Sequence, residues 1–352
     1  MSNDTASGER PPMPAGPPPA DRMRIRELST APWLSQALYA VTKLGVPDAL
    51  IEGALPVEEI ADRVGADPAA LHRFLRALTS AGVFAEVGSR VYELNAPARH
   101  LCSDTPASMR HIVIMHGEET FRAFADVLHT VRTGLPSFDA VYGKGFYEYL
   151  PEHPEAEATF HAAMGISGAP PVVADEIDFR DPATVIDLGG GSGALLTRVL
   201  ERYPDAKGVL VDVADAVAEA ERVYGGTEVG ARMTFVPGDF FGPAPRGDVY
   251  LLSRVLHNWD DERAGRILDR IREVIPEEGR LCVLDRVVPD VSGPHPSKIA
   301  DLVMLVVLGG GDRTRKEYGS LLERHGFSVE SLIPPSAGAD PRAESAIVAR
   351  PV

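Results

Sequence analysis

From Pro171 to its C-terminus the chain alternates short runs rich in β-branched residues with longer stretches of helical periodicity, and this alternation limits the fold more than any other feature. The strand candidates are TVIDLG, KGVLVDV, MTFVPGD, DVYLLSR, GRLCVLDRVV, FSVESL and ESAIVARPV. Helical stretches are predicted after each of the first five, and only a loop separates the last two. Strands joined through helices pack as a parallel, doubly wound α/β sheet. A parallel crossover needs a dozen or more residues, so the last two strands must pair antiparallel.

The first strand runs into TVIDLGGGSGALLTRVLERYP, Thr184 to Pro204, with Gly189, Gly190, Gly191 and Gly193 ahead of a helix. Glycines cost backbone entropy and leave no side chain to pack, so something approaches the main chain here. Gly189 reads as the tight turn that ends the strand, Gly191 as the opening through which a ligand reaches the backbone, and Gly193 as close packing at the helix start. Gly189-x-Gly191-x-x-Ala194 also satisfies the dinucleotide fingerprint, with Asp212 at the end of the second strand available to a ribose diol. Other features turn the reading away from a nicotinamide. Asp187 places a carboxylate where it can hold a ligand's ammonium group, the loop has an Asp-x-Gly-x-Gly-x-Gly frame, and the sheet ends in the antiparallel pair.

The N-terminal half reads differently. Residues 1–22 are proline-rich and are expected to form a disordered tail. After Ile25 the pattern is helical, with Leu34, Leu38, Val41 and Leu44 on one face. Two short amphipathic helices then flank Gly65-Ala66-Asp67-Pro68, followed by a strand, a Gly88-Ser89 turn and a second strand, which predicts a winged helix within residues 23–105. Its would-be recognition helix, Pro68 to Ala81, carries only His72, Arg73 and Arg76 as basic groups and is otherwise largely apolar. A formal net charge of −16 over 352 residues argues further against nucleic acid as the partner. Packing or dimerisation is the plainer use of the module. Residues 106–170 are mostly helical, with Phe121, Phe124, Leu128 and Val131 at helical spacing and aromatic and Met positions that either line a cavity or fill a core.

The 44% hydrophobic content suffices for two cores. Cys102 and Cys282 are in no metal spacing and read as reduced thiols. No apolar run has the length of a membrane span and the N-terminus is not signal-like, so the expected location is the cytoplasm, without membrane contact.

Taken in order, the winged helix, AVYGKGFYEY, FHAAM, VIDLGGGSG, VLVDV, PGDFF, SRVLHNWDDERAGRIL, VLDRVVP, DLVMLVVLGGGDRTRKEYGSLLERHGF and the closing strand pair resemble the class I S-adenosylmethionine-dependent O-methyltransferases of plant and bacterial small-molecule metabolism. The resemblance covers nearly the whole chain after the tail. It implies a homodimer formed through the N-terminal domain, a helical linker at 106–170 that contributes to the substrate pocket, and a Rossmann-like, seven-stranded cofactor domain at 171–352. S-adenosyl-L-methionine is the implied cofactor and S-adenosyl-L-homocysteine its product.

Residue by residue, the resemblance puts the cofactor on the Gly189 loop, on Asp212 for the ribose hydroxyls and on Asp239 and Phe240 for the adenine, with Ser253 near the methionine portion. His257 matches the general base and Asp312 the acidic residue that orients it. The acceptor pocket maps onto Phe146, Leu150, Phe160, Met164, Met304 and Val307, with Asn258 beside the base, and such walls suit a flat aromatic or polyketide-like acceptor. Plainer readings stand beside these: Asp212 as a surface carboxylate, Asp239 as a turn former after Gly238, and Asp312 as a helix N-cap ahead of Thr314 and Lys316. Many members have Asp where this chain has Asn258, and some use the fold for other chemistry, including hydroxylation. A ligand-responsive winged-helix regulator is the reading from a different class. Asp260, Asp261 and Glu262 open a helix and are read as partners of its dipole, so no metal is expected.

Overall fold

The computed structural model of the protein describes residues 19–105, 108–167, 172–179, 182–340 and 343–352. Most of the expected tail, residues 1–18, lies outside them. The first helix, Pro19–Leu44, begins inside the expected tail. The chain divides into two units between Val113 and Ile114.

In the N-terminal unit the long helix precedes strand β1 (Leu55–Pro56), helices Val57–Val64 and Pro68–Ser80, and strands β2 (Ala85–Gly88) and β3 (Val91–Glu93). Gly65, in the left-handed region, ends the first short helix, and the Asp67 carboxylate caps the second by accepting from the Ala70 N–H at 2.7 Å. The strands pair antiparallel in the order β1-β3-β2, giving the predicted helix–helix–wing sequence. Val41, Ile60, Leu71, Leu75, Leu78, Phe84 and Tyr92 form the core. Of the expected stripe on the long helix, Leu34 and Leu44 are exposed. Val41 is buried and Leu38 packs against the core as expected, and Ala37, one turn before Val41, completes the inward face.

The C-terminal unit contains all the predicted strands of the doubly wound region: β4 (Thr184–Leu188), β5 (Lys207–Asp212), β6 (Met233–Pro237), β7 (Val249–Ser253) and β8 (Arg280–Asp285), then β11 (Phe327–Ile333) and β12 (Ser345–Pro351). Two short strands between them, β9 (Val287–Val288) and β10 (Arg313–Thr314), pair with each other. The seven-stranded sheet has the order β11-β12-β8-β7-β4-β5-β6. β12 runs antiparallel between β8 and β11, as the missing last crossover requires. The other pairings are parallel.

One connection departs from the expectation. No helix follows β6, because Gly238, Gly242, Pro243, Pro245 and Gly247 interrupt any helical run before β7. Helices cover both faces of the sheet, with Ile186, Tyr250, Leu252, Ile267 and Leu321 packed on one side and Val185, Leu196, Leu210 and Leu251 on the other. The strand order reverses at β4, whose neighbours are β5 and β7, so the crevice of this fold opens at the carboxyl ends of those three strands.

Ahead of the sheet lie helices Glu119–Ala125, Val127–Thr133, Ser137–Tyr142, Phe146–Tyr149 and Pro154–Ser167. The predicted stripe is broken at Asp126, and Leu128 and Val131 face solvent. No helix among the described residues is long and apolar enough to cross a membrane.

Candidate active site

The glycine turn occupies the reversal point. Gly189 has φ 73°, and a side chain there would strike Phe240 and Val255, each at 2.9 Å. Gly190, which the sequence pattern alone did not single out, is the tightest position of the turn, since a Cβ would lie 2.3 Å from Leu210 and 2.6 Å from the Asp187 carboxylate. At Gly191 nothing lies within 4 Å, so the main chain is open there, as expected. Gly193 meets no atom closer than 3.5 Å. Its requirement is the left-handed φ of 78° before helix Ala194–Arg202, rather than close packing.

Asp212 does more than end a strand. Its carboxylate accepts from the Gly191 N–H and the Val213 N–H, both at 2.7 Å, and so ties the glycine turn to β5. Asp187 is fully buried, and neither oxygen has a well-formed hydrogen bond. Burial first, and the Asp212 charge second, push its carboxyl up to about 7. A buried carboxylate without a partner is costly, and a ligand cation would relieve it. The open main chain, the orphaned carboxylate and the acidic strand end fit a donor carrying an ammonium group and a ribose. Asp239 shapes the next loop by accepting from the N–H groups of Phe241 and Gly242 at 2.7 and 2.8 Å, the turn-forming role considered from sequence, with its side chain exposed. Phe240 packs edge-on to Trp259 at 6.0 Å, and Ser253 closes β7 beside the crevice.

His257 lies in a single 3-10 turn, Leu256–Asn258, just after β7. It is buried, and its Nδ1 lies 3.0 Å from Asp312 Oδ1. The expected pair is therefore in contact. A second carboxylate, Asp285, approaches the same nitrogen at 3.7 Å. Sequence reading missed Asp285; the available signal was an acidic residue closing the most buried strand, β8, which neighbours β7. Burial raises the Asp285 carboxyl above its ordinary range, against the opposing effect of His257. Pairing of β9 with β10 brings Asp312 alongside Arg286, whose Nε is 3.0 Å from the other Asp312 oxygen.

The segment that carries Asp312 is strapped onto the histidine turn. The Gly311 N–H donates to the His257 carbonyl at 2.9 Å, and Arg313 donates to the Leu256 and Trp259 carbonyls at 3.0 and 2.9 Å. The alternative of Asp312 as a helix cap does not hold, because Thr314 caps helix Arg315–Arg324 in a capping box with Glu317. The Asn258 amide donates to the Arg254 carbonyl at 3.0 Å, which supports a backbone whose Arg254 φ is 57°. Asp260 caps helix Asp261–Arg272, and Asp261 pairs with Arg313 and Arg324.

Of the expected pocket residues, Phe146, Leu150, Phe160 and Val307 fall in one cluster, with Phe146 and Phe160 edge-to-face at 5.2 Å. Met164 is part-exposed at the end of helix Pro154–Ser167, and Met304 opens the π-helical turn Met304–Leu308. Tyr147, also missed from sequence, stands between this cluster and Trp259, with ring centroids 6.2 Å from Phe160 and 6.0 Å from Trp259.

A doubly wound sheet with an antiparallel closing strand, a glycine turn at its reversal point and a histidine–carboxylate pair beside it defines a methyltransferase of the class I type. The chain belongs to the O-methyltransferase family: its O-methyltransferase domain spans residues 122–328 and its O-methyltransferase dimerisation domain residues 27–104. It is an S-adenosylmethionine-dependent enzyme of the bacterial natural-product group. The phenazine O-methyltransferase PhzM of Lysobacter antibioticus is 39% identical over 93% of this chain and 96% of its own length. The crystal structure of LaPhzM matches with a TM-score of 0.84 at 38% identity, covering 95% of this chain and all of that one. NcsB1, an O-methyltransferase of neocarzinostatin biosynthesis solved with S-adenosylmethionine and 2-hydroxy-5-methyl naphthoic acid, gives 0.79 at 30% identity over 90% of this chain and 96% of its own. Other relatives bear N-methyltransferase names, one of them for phenazine-1-carboxylate.

Proposed function

We propose that this enzyme methylates a phenolic hydroxyl on a small, flat aromatic acceptor, with His257 as general base and Asp312 and Asp285 as the groups that hold it. The observation that carries the reading is a buried imidazole whose Nδ1 is 3.0 Å from one carboxylate and 3.7 Å from another. That arrangement fixes the proton on Nδ1 and leaves Nε2 for the acceptor. Asp187 and Asp212 would hold the donor's ammonium and ribose groups. When bound, the donor supplies an electrophilic methyl group on a cationic sulfur.

The carboxylates answer a specific energetic problem. An ordinary phenol, with a pKa of about 10, is a weaker acid than imidazolium, at about 6.5, so complete prior proton transfer costs about 5 kcal/mol. Opposite charge nearby is worth ~1–3 units in favour of the charged ring. Proton transfer to Nε2 in concert with attack by the phenolic oxygen supplies the remainder, provided the reacting atoms are held in line. A neutral aromatic nitrogen attacks without first losing a proton, so the buried base pair favours an oxygen acceptor over the nitrogen acceptors named among the relatives. The Asn258 side chain serves the Arg254 carbonyl, and its departure from the family's usual Asp therefore bears on the turn rather than on proton transfer.

The test is methyl transfer from S-adenosylmethionine to a panel of hydroxylated phenazines, naphthoates and benzoates, followed by mass spectrometry. His257→Ala is expected to lower turnover by about 10²–10⁴-fold while S-adenosylhomocysteine binds as tightly as before. Unchanged turnover in that variant would remove His257 from the reaction.

A further inference from the structure

We infer that Tyr147 is a donor-binding residue: its hydroxyl hydrogen-bonds the ribose of the methyl donor, beside Asp212. The inference rests on the reading of Asp212 as the ribose site, and begins from the short helix Phe146–Tyr149 that follows Gly145. Consecutive helical residues point about 100° apart. Phe146 accordingly turns inward, edge-on to Phe138 at 5.3 Å and Phe160 at 5.2 Å, while its neighbour Tyr147 remains 40% exposed.

The Tyr147 ring links two groups of aromatic residues. On one side it meets Phe146 and Phe160, at 5.5 and 6.2 Å. On the other it meets Trp259 at 6.0 Å, and Trp259 packs against Phe240 and Phe241 at 6.0 and 5.0 Å. Phe240 is the ring that a side chain on Gly189 would strike at 2.9 Å. Contacts therefore run without a gap from the acceptor cluster to the glycine turn, and Tyr147 is the joint between them.

Its polar end is available. Desolvation and the negative charge of Asp212 both hold the Tyr147 phenol protonated well above its ordinary range, and no hydrogen bond contributes. The nearby Trp259 Nε1–H is buried without a partner. A phenol that keeps its proton is a donor, and Asp212 is an acceptor. A vicinal diol needs both, since each hydroxyl donates one proton and offers lone pairs. A ribose in the crevice satisfies the two residues together, and the same ring then presents a fixed wall to the acceptor.

Isothermal titration of the full-length enzyme with S-adenosylhomocysteine, wild type against Tyr147→Phe, tests the assignment, because Phe keeps the ring contacts and removes only the hydroxyl. The expected result is a Kd raised about three- to tenfold, with an unchanged melting temperature and an acceptor KM within about twofold. With the 2′,3′-dideoxy analogue of S-adenosylhomocysteine the two proteins should bind alike. Equal Kd values for S-adenosylhomocysteine itself would overturn the role of Tyr147 and leave the donor site standing. A penalty that persists with the dideoxy analogue would overturn the ribose contact. If wild type bound no S-adenosylhomocysteine, the donor site and this inference would fall together.

Discussion

Nδ1 of His257 lies 3.0 Å from Oδ1 of Asp312, in a buried contact between residues far apart in the chain, with the Gly311 N–H bonded to the His257 carbonyl. Asp285 faces the same nitrogen at 3.7 Å, whereas Asp312 meets it at hydrogen-bond distance and has its second oxygen 3.0 Å from Arg286 Nε. The two carboxylates are therefore not equivalent. Asp312 fixes the ring, and Asp285 adds charge at longer range.

Asp312→Asn should lower kcat about 10- to 1000-fold, in line with the ~1–3 units that a close opposite charge contributes. Asp285→Asn should lower it several-fold less. Donor Kd should be unaffected in both. Steady-state kinetics beside calorimetric binding of S-adenosylhomocysteine separates these effects, and a larger loss in Asp285→Asn would reverse the assignment.

Asp187 should make both stability and donor binding depend on pH. Its carboxyl is pushed up to about 7, so the folded state disfavours its ionised form. The resulting cost is absent below the unfolded value of about 3.9, grows as pH rises and is complete above about 7, where it amounts to roughly 4 kcal/mol at ~1.36 per unit. Asp187→Asn should therefore melt above wild type at pH 8 and close to it at pH 4. A donor cation prefers the ionised carboxylate, so wild-type Kd for S-adenosylmethionine should fall as pH rises to about 7 and then level off, by about tenfold per unit at most. In Asp187→Asn that slope should vanish and binding should be weaker throughout. Calorimetry in buffers of different ionisation enthalpy would show proton release below pH 7 in the wild type alone.

The parts of the site that could be read from sequence are those whose constraint is local. β4, β5 and β7 are largely apolar short runs, the glycine turn is written in adjacent residues, and the missing last crossover fixes the direction of β12. His257 and Asp312 were reached only through the order of the surrounding blocks. Asp285 and Tyr147 were missed because their significance is made by adjacency: one by the pairing of β7 with β8, the other by a short helix that turns neighbouring aromatic rings to different sides. The predicted helix after β6 failed for the converse reason, since the expectation of alternation outweighed five helix-breaking residues.

Gly310 holds the strap in place. A Cβ there would lie 2.2 Å from the His257 carbonyl oxygen, 2.5 Å from the Asn258 carbonyl carbon and 2.7 Å from the Trp259 nitrogen, all backbone atoms with little room to yield. Gly310→Ala should destabilise the fold by about 1–3 kcal/mol, the usual cost of overpacking, and lower kcat by more than tenfold as the histidine turn shifts. Gly319 provides the control. It sits within helix Arg315–Arg324 with open space around it, and Gly319→Ala should stabilise by about 0.5–1 kcal/mol without altering turnover. Thermal melts and kinetics on the two variants distinguish a steric effect at the strap from a general response to added methyl groups.

The N-terminal unit presents an apolar surface that a second copy of the chain would cover. Trp33 is 72% exposed and Phe74 43%, and with Ala37, Ala70 and Ala77 they line a groove of about 630 Å³ whose rim carries Arg73 and Arg76. The first helix also exposes Met23, Ile25, Leu28 and Leu34. Exposed apolar grooves mark interaction sites in soluble proteins, and residues 27–104 match the family's dimerisation domain. His72, one of the basic residues of the would-be recognition helix, is tied to the Tyr92 hydroxyl at 2.8 Å, and both arginines lie on the aromatic groove. A face built this way suits pairing with another protein surface better than phosphate contacts. Phe74→Asp would place an unpaired carboxylate in the interface and should convert a dimer into a monomer in sedimentation velocity. Added salt should not restore association, because the loss is one of apolar burial. A dimer that survived both Phe74→Asp and Trp33→Ala would place the interface on another face of the molecule.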